Sequence, residues 1–223
     1  IGLCEYNPDY GPIFILSGYV AGITLETHVR EQLNALPPAD RIEKISNEIC
    51  NVLDALQYLH SRGVVHRDVK PSNVMIENGS TVKLMDLGIA RMSGGNKYSS
   101  FGFIGTPQYA APEQILRDSA DTEINAQTDI YSTGITFYEL LTGHNPFKTN
   151  IEAEILSRQI SMKLPYDKKI PRRLYNVILK ATEKSPSKRF KSALEFKLAI
   201  KEALQGESNP IKEMFEEKIN GSI

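Results

Sequence analysis

Three side chains in one short stretch and a fourth beyond it could handle a phosphoryl group together. The run His66-Arg67-Asp68-Val69-Lys70-Pro71-Ser72-Asn73 holds an Asp, a Lys and an Asn, and a second Asp follows in Asp86-Leu87-Gly88. Asn73 and Asp86 offer hard oxygen donors that suit magnesium, an ion usually shared between one or two carboxylates and substrate phosphates. Asp68 is not needed for the metal and is free to accept a hydroxyl proton, while Lys70 brings a mobile positive charge. Proton acceptor, cation and metal ligands are what phosphoryl transfer asks for, because that chemistry is mostly positioning and charge neutralisation. A lone His-Arg-Asp would read as a polar surface loop; the whole run followed by the second Asp does not.

The elements that must position these groups can be read around them. Val74-Met75-Ile76 and Thr81 to Met85 are apolar runs flanking Glu77-Asn78-Gly79-Ser80. Asn-Gly in that setting predicts a two-residue hairpin turn, since both central positions need positive φ. The turn folds Asp86 back beside Asn73. Upstream, Asp40 is a possible cap for a long helix with apolar residues at Ile42, Ile45, Ile49, Leu53, Leu56 and Leu59, stopped by Gly63. Val64-Val65 then forms a short strand into His66. Downstream, Asp129 to Gly143 is apolar almost all round, as expected of a helix at the centre of a domain.

The remaining segments read as support. Thr24 to Leu36 is a shorter helix closed by Pro37-Pro38, and Ile151 to Lys163, Arg172 to Lys184 and Ser192 to Gln205 are amphipathic helices that complete the packing. Ile1 to Tyr6 and Ile13 to Leu16 read as two strands around a turn cluster at Asn7 to Pro12. After Gly206 the tail turns polar, although Ile211, Met214, Phe215 and Ile219 keep helical spacing.

The bulk numbers narrow the class. With 223 residues, 41% hydrophobic and 24% charged, the chain can bury a sizeable core. A net charge of -1 gives no case for nucleic acid or an anionic membrane as an obligate partner. Cys4 and Cys50 have no metal-like spacing and suit a reducing compartment. No apolar stretch approaches a bilayer span, so a cytoplasmic location is the expectation.

The run from His66 to Asn73, with Asp86-Leu87-Gly88 in place of the usual Asp-Phe-Gly, resembles the catalytic loop of eukaryotic-type protein kinases. Lys70 with Pro71 resembles the serine/threonine branch, and Pro112-Glu113-Gln114 the bacterial members. The resemblance implies an α+β fold, a mainly helical large lobe with part of a β small lobe. It divides the chain into a small-lobe remnant (1–17), a hinge (18–25), the large catalytic lobe (26–205) and a tail or linker (206–223). ATP and magnesium would be the cofactors, and a protein serine or threonine the acceptor.

Further site residues follow from the same likeness. Ser17 takes the gatekeeper position, the Gly18 carbonyl and Val20 amide bond the adenine edge, and Met75 joins Asp86 among the cofactor-binding positions. His66 packs against Leu87. Arg67 either makes a surface ion pair or receives a phosphate from the following loop, where Ser93, Tyr98, Ser99 and Ser100 are candidate acceptors. Thr106, opening the segment that seats the residue beside the phosphoacceptor, bonds Asp68 and Lys70. Glu113 needs a buried cation, Arg189, and Asp129 bonds backbone amides of the catalytic loop.

One departure is marked. Nothing before Asp68 looks like a glycine-rich loop, and the first lysine is Lys44. Either those phosphate-anchoring parts lie upstream of the given sequence or the chain is a degenerate member, a pseudokinase scaffold; the residues as given should bind ATP poorly. A small-molecule phosphotransferase of the same fold usually lacks the Thr106 to Glu113 segment.

Overall fold

The structure, a computed structural model, describes residues 18–86, 91–92, 106–116 and 123–205. In chain order the elements are β1 (Gly22–Thr24) and α1 (Leu25–His28), with a π-helical turn over Val29–Leu33, then α2 (Pro38–His60). Next come β2 (Val64–Val65), β3 (Val74–Glu77), β4 (Thr81–Leu84), β5 (Arg91–Met92) and α3 (Pro112–Ile115). The C-terminal elements are α4 (Ala126–Thr142), α5 (Glu152–Ser161), α6 (Arg172–Ala181) and α7 (193–205). This is the α+β class expected from the sequence, mainly helical with a little antiparallel sheet.

The hairpin that carries the site is β3–β4, with β3 in the middle of a sheet ordered β1-β3-β4. Val74 pairs with Leu84 and Glu77 with Thr81, and the turn residues Asn78 and Gly79 have φ of 53° and 76°. Asn and Gly tolerate that left-handed region best, which is why the turn sits there. The two-residue loop expected from the sequence needs correction, because Glu77 pairs with Thr81 and leaves Ser80 as a third loop residue. Its N–H bonds the Glu77 carbonyl at 3.3 Å.

β1 was not legible, since three residues show too little alternation to register as a strand. It pairs with β3, placing Gly22 opposite Glu77 and Thr24 opposite Met75. A Cβ on Gly22 would run into the Ile76 carbonyl, part of the facing backbone. Gly22→Ala is therefore expected to cost about 1–3 kcal/mol by overpacking, read as a shifted midpoint in urea unfolding; an unchanged midpoint would show that the strands part freely.

Helix boundaries depart from the sequence at several ends. Asp40 does not cap α2: the helix starts at Pro38, with Asp40 in its first turn. Proline's preset φ and missing N–H suit that first position, and the carboxylate still faces the positive end of the helix. Asp129 likewise does not open α4. Asn125 caps that helix, its Oδ1 accepting the Gln127 N–H at 2.8 Å. α5 and α6 stop at Ser161 and Ala181, short of the expected Lys163 and Lys184. Pro165 and Pro186 lie four and five residues beyond, so the residues just before them, Leu164 and Ser185, are biased toward extended backbone and the helices cannot run on to them.

The core forms between α2 and α4. Ile45, Ile49, Leu53 and Leu56 of the α2 stripe are fully buried, as are Ile130, Ile135, Phe137 and Leu141 of α4. Gly63 and Gly143 take φ of 70° and 84° behind the two helices, as expected of left-handed stops. Among the described residues no helix is long and apolar enough to cross a membrane. The strands read at 1–6 and 13–16, Cys4, Ser17, Leu87, the loop residues Ser93, Tyr98, Ser99 and Ser100, and the tail after Gly206 lie outside the described residues.

Candidate active site

The loop from His66 to Asn73 follows β2 and is held from below by one carboxylate. Asp129, wholly buried on α4, accepts the His66 N–H at 2.9 Å on Oδ2 and the Arg67 N–H at 2.8 Å on Oδ1. Arg67 has a φ of 72°, a left-handed conformation that a side chain makes unfavourable by about 1–2 kcal/mol. Two bonds to an ionised group are of a size to offset that strain. The His66 ring, also buried, sets the next turn. Its Nε2 lies 2.9 Å from the Met85 carbonyl, which can only accept, so Nε2 carries the proton and Nδ1 receives the Asp68 N–H at 3.4 Å.

Two supports were missed by reading the sequence. His60, the last residue of α2, places Nε2 2.7 Å from Asp129 Oδ2. Gln114 donates from Nε2 to the Arg67 carbonyl at 2.9 Å and accepts the Ala111 N–H at 3.0 Å. Neither residue type nor spacing marks these two locally, since each acts on a loop distant along the chain.

The loop and the segment opening at Thr106 converge on Asp68. Its Oδ2 accepts from Asn73 Nδ2 at 2.9 Å and pairs with Lys70 Nζ at 2.8 Å; its Oδ1 accepts the Thr106 N–H at 3.1 Å. Lys70 Nζ also donates to Thr106 Oγ1 at 2.6 Å. Asp68, Lys70, Asn73 and Thr106 are thus one hydrogen-bonded group. Burial alone would raise the Asp68 carboxyl, and it is the largest single influence. The bonds from Lys70, Thr106 and Asn73 together outweigh it and hold the group below the usual carboxylate value.

The backbone at the start of the hairpin brings the segments of Asn73 and Asp86 side by side. The Met85 N–H bonds the Asn73 carbonyl at 2.8 Å, so Asp86 stands one residue past the end of that pairing, exposed and with a φ of 58°. Asn73 Nδ2 faces two acceptors, the carbonyl and the carboxylate of Asp68, both at 2.9 Å. That settles which end of the amide is nitrogen and leaves Oδ1 outside those bonds. One amide oxygen and one carboxylate fit a magnesium ion that takes its other ligands from water and phosphate. Among the described residues no group of three or more His, Cys, Asp or Glu side chains forms an all-protein cage.

The other candidate residues lie apart from this group. Gly18 is exposed and Val20 half-buried in the stretch leading to β1, and no bond among the described residues joins either to Asp68. Met75 is half-buried in β3, opposite Thr24. The β1–β3 pairing therefore brings the chain that carries Gly18 and Val20 to the side of the hairpin.

Below Thr106 the chain is clamped to the helical body. Glu113 is held bidentately by Arg189, Nη1 to Oε1 at 2.7 Å and Nη2 to Oε2 at 2.8 Å, with Thr128 Oγ1 donating to Oε1 at 2.9 Å. The pair expected from the sequence is present, with side chains 0% and 3% exposed. Arg189 spends its remaining donors on the carbonyls of Gln127, Glu183 and Lys184.

Comparison with known proteins agrees with this arrangement. The family model described as the protein kinase domain matches residues 1–205. The chain is 35% identical over 210 residues to a probable serine/threonine-protein kinase of Streptomyces coelicolor, covering 91% of this chain and 30% of that protein. It is 35% identical over 211 residues to the serine/threonine-protein kinase PknB of Mycobacterium tuberculosis, covering 91% and 32%. A probable PknB of Bifidobacterium longum is 34% identical over 200 residues, covering 86% and 28%. The chain spans about a third of the length of these curated relatives. The matched region takes in the Asp68 loop, the hairpin to Asp86, the Thr106 segment and the helices beneath them through α7, and the chain belongs to the protein kinase domain family.

Proposed function

We propose that this domain is the catalytic part of a serine/threonine protein kinase, moving the γ-phosphoryl group of ATP to a serine or threonine hydroxyl of a protein. The observation that carries the reading is the single hydrogen-bonded group of Asp68, Lys70, Asn73 and Thr106. The relatives' names support the choice of acceptor, each being a serine/threonine-protein kinase.

In this reading Asp68 orients the acceptor hydroxyl and takes its proton as the oxygen bonds the γ-phosphorus. The bond from that phosphorus to the β-phosphate oxygen breaks and ADP leaves. The three described bonds to Asp68 occupy three of the roughly four acceptor sites of a carboxylate, leaving room on Oδ1 for the hydroxyl. Lys70, tied to both Asp68 and Thr106, steadies the phosphoryl group. Asn73 Oδ1 and Asp86 would hold magnesium, which when bound neutralises phosphate charge. The Gly18 carbonyl and Val20 amide would read the adenine edge, with Met75 as an apolar neighbour of the nucleotide. We place the reaction in the cytoplasm, where ATP is available. Cys50 fits a reducing setting, since it is unpaired and buried, and burial pushes its thiol up to about 11.

The test offers the intact natural protein magnesium, ATP and peptides whose sole acceptor is Ser, Thr or Tyr, with mass spectrometry as the readout. Phosphate on the Ser and Thr peptides is the expected result. Transfer to Tyr alone, or tight nucleotide binding with no transfer, would overturn the reading, and the second outcome would identify a scaffold.

A further inference from the structure

A second polar network, away from Asp68, ends on the segment just after Thr106. Gln159 of α5 is fully buried and donates from Nε2 to the Gln108 carbonyl at 2.6 Å and the Pro107 carbonyl at 3.2 Å. Its Oε1 accepts from the Tyr131 hydroxyl of α4 at 2.6 Å. Lys184 Nζ donates to that hydroxyl oxygen at 2.8 Å and to the Gln159 carbonyl at 2.7 Å. The direction of every bond is forced. Backbone carbonyls only accept, so Gln159 must turn its nitrogen to them and its oxygen to Tyr131. Tyr131 then spends its proton on Gln159, and its oxygen faces the ammonium. Asn145 Nδ2, at 3.3 Å from the Gln108 carbonyl, and Ser132 Oγ, at 2.8 Å from the Tyr109 carbonyl, complete the clamp.

We propose that Gln159, oriented by Tyr131 and Lys184, is a positioning residue for the peptide substrate: it fixes the Pro107–Gln108 backbone as the platform for the residue beside the acceptor. This rests on the protein-kinase reading above. The Thr106 end of the same segment already bonds Asp68 and Lys70, so a platform held at Pro107 and Gln108 holds the peptide in register with the reacting groups.

Stability alone does not account for the lysine. Burial, more than the nearby Arg189, pushes the Lys184 ammonium down to about 8, with Glu183 acting against them. The unfolded chain keeps that proton up to its ordinary 10.5, so between about 8 and 10.5 this group's contribution to folding becomes more favourable as pH rises. At neutral pH the buried charge works against the fold. Its Nζ also lies 4.9 Å from the centre of the Phe147 ring. What the ammonium does supply is the donor that the Tyr131–Gln159 relay requires.

The experiment compares the intact natural protein with Gln159→Glu, which keeps the shape but replaces the two N–H donors with a carboxyl group, and with the milder Tyr131→Phe. Initial rates are measured with peptide and ATP varied separately, and hydrogen exchange is followed over residues 106–111. Gln159→Glu is expected to raise the peptide KM roughly tenfold, equivalent to about 1.4 kcal/mol. The KM for ATP should stay within about twofold, and exchange across 106–111 should speed up; Tyr131→Phe should show a weaker form of the same pattern. An unchanged peptide KM, or equal rises in both KM values, overturns the proposal. Should the wild type phosphorylate no peptide, the kinase reading fails instead. Exchange then still judges the positioning: unchanged protection of 106–111 in Tyr131→Phe overturns it.

Discussion

Asp68→Asn in the intact natural protein is expected to lower kcat for peptide phosphorylation by roughly 10²–10⁴-fold, the range for removing a positioned general base. Peptide and ATP KM should move only a few-fold, because the lost interaction belongs to the transition state. The geometry sets how the variant settles. An amide can turn its oxygen to Lys70 and Asn73, keeping the partners of Oδ2, but its nitrogen then faces the Thr106 N–H where Oδ1 had accepted. One hydrogen bond is lost, for about 1 kcal/mol. The Lys70 side chain is 20% exposed, enough to recover water as its ion pair weakens. The melting temperature should therefore fall by only about 2–4 °C in a domain of this size. Steady-state kinetics with calorimetry checks both halves. Turnover within tenfold of the wild type would remove Asp68 from the role of base.

The opposite balance is expected at Glu113. Glu113→Gln leaves the Arg189 guanidinium in a site where its side chain is 0% exposed, with three backbone carbonyls but no counter-charge. Breaking a buried pair from one side costs about 3–5 kcal/mol, mostly the desolvated charge left behind. That corresponds to a drop of about 6–20 °C in melting temperature. The double variant Glu113→Met with Arg189→Met removes both charges and should recover part of the loss, the rest being the cost of the backbone carbonyls that lose Arg189 as their donor. Urea unfolding of both variants measures this. A single-variant loss below about 1 kcal/mol would mean that water reaches Arg189. The Glu113→Gln protein should also lose activity through its neighbour, because Gln114 holds the Arg67 carbonyl beneath the catalytic loop.

The features legible in the amino-acid order share a physical origin. Asn78, Gly79, Gly63 and Gly143 announce themselves because a left-handed backbone is a property of one residue and its neighbours. The α2 stripe is visible because its apolar residues recur at the helical period, and its central four, Ile45, Ile49, Leu53 and Leu56, end up at 0% exposure. Helix starts were less legible: Asp40 and Asp129 are acceptable caps by type, yet Pro37 and Asn125 hold that position. Exposed ends differ by too little free energy for residue type to decide. The Glu113–Arg189 pair was anticipated only through the resemblance, since nothing in either residue's surroundings names the other.

From its sequence alone this protein discloses a loop carrying Asp68, Lys70 and Asn73, a hairpin returning Asp86 toward Asn73 and the helices beneath them, the hairpin and helices being consequences of local dihedral preference and apolar periodicity. Beyond the bonds of Asp129, Thr106 and Glu113 that the family likeness implied, which polar groups meet was decided by the tertiary structure alone. Asp129 takes His60 and two loop amides together, and Gln159 is turned by Tyr131 and Lys184 toward Pro107 and Gln108. Hydrogen-bonding partners far apart in the chain are chosen by burial, which forces each desolvated donor and acceptor to find its complement wherever the packing has brought one.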